Sequence, residues 1–131
     1  MKLSQALYDE ILDQARAEAP AECCGMIASR DGEAVKVYPA VNAAASPPYA
    51  YEIDSSDLYR IQMAIDDADL DLGAIYHSHP RSEPSPSQTD INLAFYPDAE
   101  YIIVGLKASE PDVRSFMIRD GQVAEVELVV E

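Results

Sequence analysis

Hydrophobic positions recur along this chain with two periods, and each change of period marks a new element. Leu3, Leu7, Ile11 and Ala15 are spaced by four, so the chain opens as an amphipathic helix that Ser4 can cap and Ala19-Pro20 ends. "ECCGMIAS" is an apolar stretch behind one acid, Glu22, and reads as a buried strand. Arg30-Asp31-Gly32 is a turn into "EAVKVYPA", a second strand with alternating character. Residues 41–50 form a loop, "YEID" is a short extended piece, and Asp54 caps a helix striped by Leu58, Ile61, Ile65 and Ala68. "LGAIYHSH" is a third strand, and "PRSEPSPS" is a loop because Pro interrupts it three times. A short helix follows from about Gln88 to Phe95, closed by Pro97, and the apolar "YIIVGL" predicts a central strand. A hairpin ends the chain: "VRSFMIR", a turn at Asp120-Gly121, and a strand alternating Val126, Leu128 and Val130 with Glu125 and Glu127. This order predicts one α/β domain over residues 1–131, a central mixed sheet flanked by helices.

Composition narrows the partners. A chain of 131 residues that is 48% hydrophobic can bury one core without a disulfide or metal as a staple. Its 24 acidic and 9 basic residues give a net charge of −15, which repels a phosphate backbone and an anionic membrane. Nucleic acid and membrane are therefore not expected as partners, whereas a basic protein surface is compatible. No run approaches the ~20 apolar residues of a membrane span, and "MKLSQALYDE" lacks the apolar core and cleavage site of a signal peptide. Cys23 and Cys24 are adjacent and poorly placed to pair with each other, so the expected location is the reducing cytoplasm.

The candidate chemistry lies in "IYHSHPRSEPSPSQTD", which holds both histidines of the chain. On a strand His77 and His79 project from one face, with Ile75 and Gly73, while Tyr76 and Ser78 point away. Paired imidazoles suit zinc, and a catalytic zinc takes three protein ligands and keeps one position open. Asp90, one turn into the next helix, is the natural third ligand. A water in the open position needs a base, and Glu22 stands at the head of an otherwise apolar strand, where Gly25 allows close backbone approach. Each feature has an ordinary account as well. Ser87-x-x-Asp90 is a helix-capping pattern, the histidines can be a hydrogen-bonded pair, and Glu22 can be an exposed strand start. Cys23 and Cys24 face opposite ways and read as small buried hydrophobes, Cys24 sharing the side of Glu22 and able to line the site floor.

Taken together, Glu22, His77-x-His79, seven residues, Ser87, two residues and Asp90 resemble the signature of the JAMM (MPN+) metalloprotease family. The likeness runs end to end, through "PAECCG", "AIYHSHPRSEPSPSQTD" and "YIIVGL". It implies an MPN fold of the cytidine-deaminase-like type. It also implies one Zn²⁺ per chain on His77, His79 and Asp90, although iron or cobalt would fit the same donors. By the same resemblance Glu22 is the general base, Ser87 stabilises the oxyanion, and the substrate is ubiquitin or a ubiquitin-like protein cleaved after its C-terminal Gly-Gly. The compact chain looks like free-standing prokaryotic members that act on small sulfur-carrier proteins. Its segment "SPPYAYEIDSSDLYRIQMAIDDADLDLGAIYHSH" is similar to actinobacterial members that release cysteine from a carrier ending in Gly-Gly-Cys, while "HSHPRSEPSPS" is nearer the general family pattern. Asn42, Tyr49 and Tyr51 are expected in the groove for the substrate tail, the alternative being an ordinary surface loop with tyrosines on the core. Three other classes stay open: a non-catalytic MPN scaffold, whose kind lacks parts of the ligand set; a RadC-like protein, which normally adds an N-terminal DNA-binding region; and a deaminase, which needs His-x-Glu and Pro-Cys-x-x-Cys, both missing here.

Overall fold

In the computed structural model, which describes residues 1–131, β1 (Lys2–Leu3) precedes α1 (Gln5–Glu18), β2 (Cys24–Arg30) and β3 (Glu33–Ala40). Next come α2 (Ser55–Asp67), β4 (Asp71–His79), α3 (Gln88–Asn92), β5 (Glu100–Gly105), β6 (Asp112–Arg119), β7 (Gln122–Val126) and β8 (Val129–Val130). Local chemistry sets most of these boundaries. Ser4 Oγ accepts the Leu7 N–H at 3.2 Å, and Asp54 Oδ2 accepts the Asp57 N–H at 3.1 Å, so α1 and α2 begin at their caps. Asp31-Gly32 and Asp120-Gly121 carry positive φ through two-residue hairpin turns, the conformation that matches strand twist. Three expectations need correction at element ends. Leu3 is buried in β1 rather than in the helix stripe, Ala68 is the exposed cap of α2, and α3 stops at Asn92 instead of reaching Phe95.

One mixed sheet contains every strand, in the order β7-β6-β5-β4-β2-β3-β1-β8, with β4 and β5 parallel. The expected C-terminal hairpin is interrupted: β7 ends at Val126, and β8 pairs with β1 at the far end of the sheet. Only Glu127 and Leu128 separate those two strands, a reach of about 11 Å. The sheet must therefore curl until its end strands approach each other. Met1 fastens this closure, its ammonium group donating to the Glu127 carbonyl at 2.9 Å and pairing with Glu100 at 3.3 Å.

Alternation along the central strands sends side chains into two cores. Cys23, Ile27, Tyr76, Ile102 and Val104 pack beneath α1 with Ile11, Leu12 and Ala15. Cys24, Met26, Ile75 and Ile103 pack beneath α2 with Ile61 and Ile65. Each such fully buried aliphatic side chain contributes about 1.5–3 kcal/mol of transfer free energy, so the sheet is held from both faces. Gly73 does not share the histidine face as expected. The β2–β4 register shifts from Ile27↔Ala74 to Ala28↔Leu72, a bulge that leaves Gly73 unpaired and places Leu72 in the α2-side core.

Gly25 also has a different reason from the one expected. A Cβ there would overlap the Tyr76 hydroxyl and ring and come 2.6 Å from the Tyr38 carbonyl, so the close approach is a packing contact within the fold rather than one toward the site. We expect Gly25→Ala to cost about 1–3 kcal/mol through overpacking, read as a lower Tm. An unchanged Tm in this variant would contradict the packing argument.

Candidate metal centre

Antiparallel register brings distant residues together. Cys24 pairs with His77, so the start of β2 lies beside the C-terminal end of β4, and Glu22 comes next to His79. The Pro-rich loop then returns to this strand end, where Pro84 packs over Gly105 of β5 and Leu106 N–H binds the His79 carbonyl at 3.1 Å. Ser87 caps α3, its Oγ accepting the Asp90 N–H at 3.1 Å while Asp90 Oδ2 accepts the Ser87 N–H at 2.9 Å. This capping box points the Asp90 carboxylate at the histidines. The expected cap and the expected ligand position are thus the same piece of structure.

Three donor atoms converge. His77 Nε2 and His79 Nε2 are 3.2 Å apart, and Asp90 Oδ2 is 3.1 Å from each. Tetrahedral ligands at the ~2.0–2.1 Å bond length of zinc stand about 3.3 Å apart, so this triangle is nearly the face of such a coordination sphere. Ligating atoms of Glu22, His77 and His79 also lie within 4.8 Å of one another. Asp90 Oδ2 is in hydrogen-bond contact with both imidazoles, whereas Glu22 makes no hydrogen bond to either ring. All four side chains are buried, and Glu22 Oε1 has no hydrogen-bond partner. An unpartnered buried carboxylate is costly, which is the expected mark of a group waiting for a ligand or a water.

Electrostatics prepare the same arrangement. Burial pushes the Glu22 carboxyl up to about 7, with nearby Asp90 adding to the rise and His79 opposing it. Burial also works against ionised Asp90, but hydrogen bonds from His77, His79 and the Ser87 N–H outweigh it and hold that carboxyl well below its usual range. His77 is lowered, chiefly by desolvation, and so favours the neutral, ligating form. Burial lowers His79 too, yet Asp90 and the Glu83 carbonyl carry it above its ordinary value. His79 Nδ1 lies 2.8 Å from that carbonyl, which fixes the ring and turns Nε2 toward the site. No residue pattern marks this contact in advance, because its acceptor is main chain.

The remaining candidates divide. Tyr51 stacks on His77, ring centroids 4.2 Å apart and planes 19° from parallel. It also borders an apolar cleft of about 340 Å³ lined by Ile53, Leu58, Ile75, Phe95 and Tyr101. Tyr49 is exposed beneath the Arg81 guanidinium, 5.2 Å from its ring centre. Asn42 is different: its amide is fully committed to the chain's own backbone and offers a substrate nothing. Cys24 lies on the histidine face, as expected, and Cys23 on the other; both are buried and free. Burial raises the two thiols to about 12 and about 11, so neither competes as a thiolate.

A family model described as prokaryotic homologs of the JAB domain matches residues 4–119. The CysO-cysteine peptidase of Mycobacterium tuberculosis is 37% identical over 122 residues, covering 91% of this chain and 83% of the relative. The desampylase of Haloferax volcanii is 41% identical over 110 residues, 79% and 78% of the two chains. A probable TtuB-protein conjugate cleaving protease of Thermus thermophilus is 39% identical over 124 residues, 92% and 78%. Among solved structures, a protein from Desulfitobacterium hafniense superposes with a TM-score of 0.89 at 30% identity, over 99% of this chain and 92% of its own. A JAB1/MPN domain protein from Archaeoglobus fulgidus gives 0.67 at 22%, over 99% and 98%, and supports the fold.

Proposed function

The chain belongs to the prokaryotic JAB-domain family, and on that premise we propose that it is a zinc-dependent peptidase cleaving after the C-terminal Gly-Gly of a ubiquitin-like protein. The observation that carries this reading is the near-tetrahedral triangle of His77, His79 and Asp90 donors beside the unpartnered carboxylate of Glu22. Zinc held by those three residues would polarise the scissile carbonyl and acidify a water. Glu22 takes the proton of the attacking water on its carboxylate and returns it to the leaving amine, a shuttle suited by an acid near neutrality. Ser87 Oγ uses a lone pair to cap α3, which leaves its O–H free to donate to the developing oxyanion. Tyr51 keeps the His77 ring in place, the cleft beside it receives the residues before the scissile bond, and Tyr49 with Arg81 borders the approach. Both buried cysteines are free, which supports the reducing cytoplasm as the location of the reaction. No helix is long and apolar enough to cross a membrane.

The relatives include one named a CysO-cysteine peptidase and one named a probable TtuB-protein conjugate cleaving protease, so the test carries both kinds of substrate. A ubiquitin-like sulfur-carrier protein ending in Gly-Gly-Cys, and the same carrier joined through its terminal glycine to a lysine, are incubated with the protein and followed by mass spectrometry. Loss of one cysteine, or release of the lysine partner, abolished by chelator and by Glu22→Gln, is the expected result. No cleavage of either would leave a scaffold. Ser87→Ala should lower kcat by about 10²-fold, the effect of losing one oxyanion donor, with about 1 kcal/mol of stability lost from the cap. Ser87→Thr should recover most of both, and an unchanged kcat in the alanine variant would take the hydroxyl out of the chemistry.

A further inference from the structure

Glu22 lies outside β2, and no side-chain hydrogen bond holds its carboxylate. Its position is therefore set through its main chain. Both of its backbone groups are taken by the loop after β3: the Glu22 N–H donates to the Pro47 carbonyl at 2.8 Å, and the Glu22 carbonyl accepts from Asn42 Nδ2 at 2.9 Å. The second Nδ2 hydrogen goes to the Ala50 carbonyl at 3.0 Å. Asn42 Oδ1 accepts from the Ala44 N–H at 3.0 Å and the Glu52 N–H at 3.1 Å. One amide thus makes all four of the hydrogen bonds it can make. It ties the head of β2 to both sides of the loop that carries Tyr51, the residue stacked on His77. An aspartate could replace the two acceptor contacts but would turn a carboxylate toward two carbonyl oxygens, and an alanine would leave all four backbone groups to find new partners.

We propose that Asn42 is a positioning residue: it fixes Glu22 over the metal face from the main-chain side and holds the Tyr51 loop in the same action. The inference rests on the hydrolytic reading above and names a further residue on which that reaction depends. A base displaced by about 1 Å loses on the order of 10²-fold in rate, a larger effect than a loosened Tyr51 loop has on binding. The loss should therefore fall on kcat.

The test uses the zinc-loaded full chain with Asn42→Asp and Asn42→Ser, the second retained in case the first does not fold. The expected result is a kcat at least tenfold lower, KM within about twofold, and zinc still bound at one per chain. In a Glu22→Gln background, either substitution should cost nothing further in single-turnover rate, since the group it positions is already disabled. A wild-type kcat in both variants, or an additive loss in that background, overturns the proposal while leaving the hydrolase intact. If the wild-type chain cleaves neither substrate, the hydrolytic reading fails, and amide exchange decides the latch separately. Protection of the Ala44 and Glu52 N–H groups, both donors to Asn42 Oδ1, should fall at least tenfold in Asn42→Ser, and unchanged protection overturns the latch as well.

Discussion

Glu22→Gln is expected to reduce turnover by 10³-fold or more while zinc remains bound at one per chain. General-base assistance by a positioned side chain contributes about 10²–10⁴-fold, and no other buried acid stands free beside the triangle of His77, His79 and Asp90. Because Gln keeps the shape and removes only the proton acceptor, metal content and KM should change little. Steady-state kinetics with metal analysis checks this, and a variant retaining a tenth of wild-type kcat would move the base elsewhere. The same substitution has an opposite effect on stability. In the folded chain the Glu22 carboxyl sits at about 7, against 4.5 for an unburied glutamate. Its raised value means that the stabilising, protonated state is complete below 4.5 and lost as pH climbs through 7. Chelator-treated Glu22→Gln should therefore melt above chelator-treated wild type at pH 8, by on the order of 3 kcal/mol at most, and the gap should narrow toward pH 5. A gap of the same size at both values would mean that Glu22 is not held charged in a dry site.

Asp90→Asn is expected to remove the metal itself. In the proposed zinc site its carboxylate would supply the negative charge, and it touches both imidazoles at 3.1 Å. Losing it should lower zinc affinity by more than the ~10–100-fold that follows loss of an outer hydrogen-bond partner. Activity should fall with the metal and return in part at high zinc, which equilibrium dialysis and rescue kinetics would show. The amide can still accept the Ser87 N–H, so α3 should keep its cap and the variant should fold. Acid tolerance reveals the ionic part. Asp90 is held below the 3.8 of a free aspartate, so its contribution is present above that value and fades as pH falls through the lower, folded one. In chelator-treated protein, the Tm difference between wild type and Asp90→Asn should thus shrink below about pH 4. Wild-type zinc affinity in Asp90→Asn would return the third ligand position to Glu22, the other carboxylate near both histidines.

The grouping of His77, His79, Ser87 and Asp90 was legible in the chain because its spacing is local. His77-x-His79 shares a face by the two-residue period, and Ser87-x-x-Asp90 reads as a cap whether or not a metal is present. The caps at Ser4 and Asp54 and the two Asp-Gly turns were equally plain, since each depends on a few neighbouring residues. Parity failed only where the backbone left its regular period, at the bulge by Gly73. Asn42 was noticed for the wrong reason. A polar residue in a loop beside tyrosines suggests a surface that meets a ligand, and nothing in the sequence shows that four backbone groups will close around its amide.

Local sequence was thus enough for most helix and strand segments, for the faces shared along regular strands, and for naming candidate donors and a candidate base. Tertiary structure alone decided how they meet. The register Cys24↔His77 brings Glu22 to His79, Asn42 takes the Glu22 carbonyl, and β8 leaves its expected hairpin to pair with β1 across the curled sheet. The reason is physical. A hydrophobic period encodes the conformation and buried face of a segment, but strand edges offer the same N–H and C=O groups along their length. The choice among partners rests on burial and hydrogen bonds summed over the whole fold.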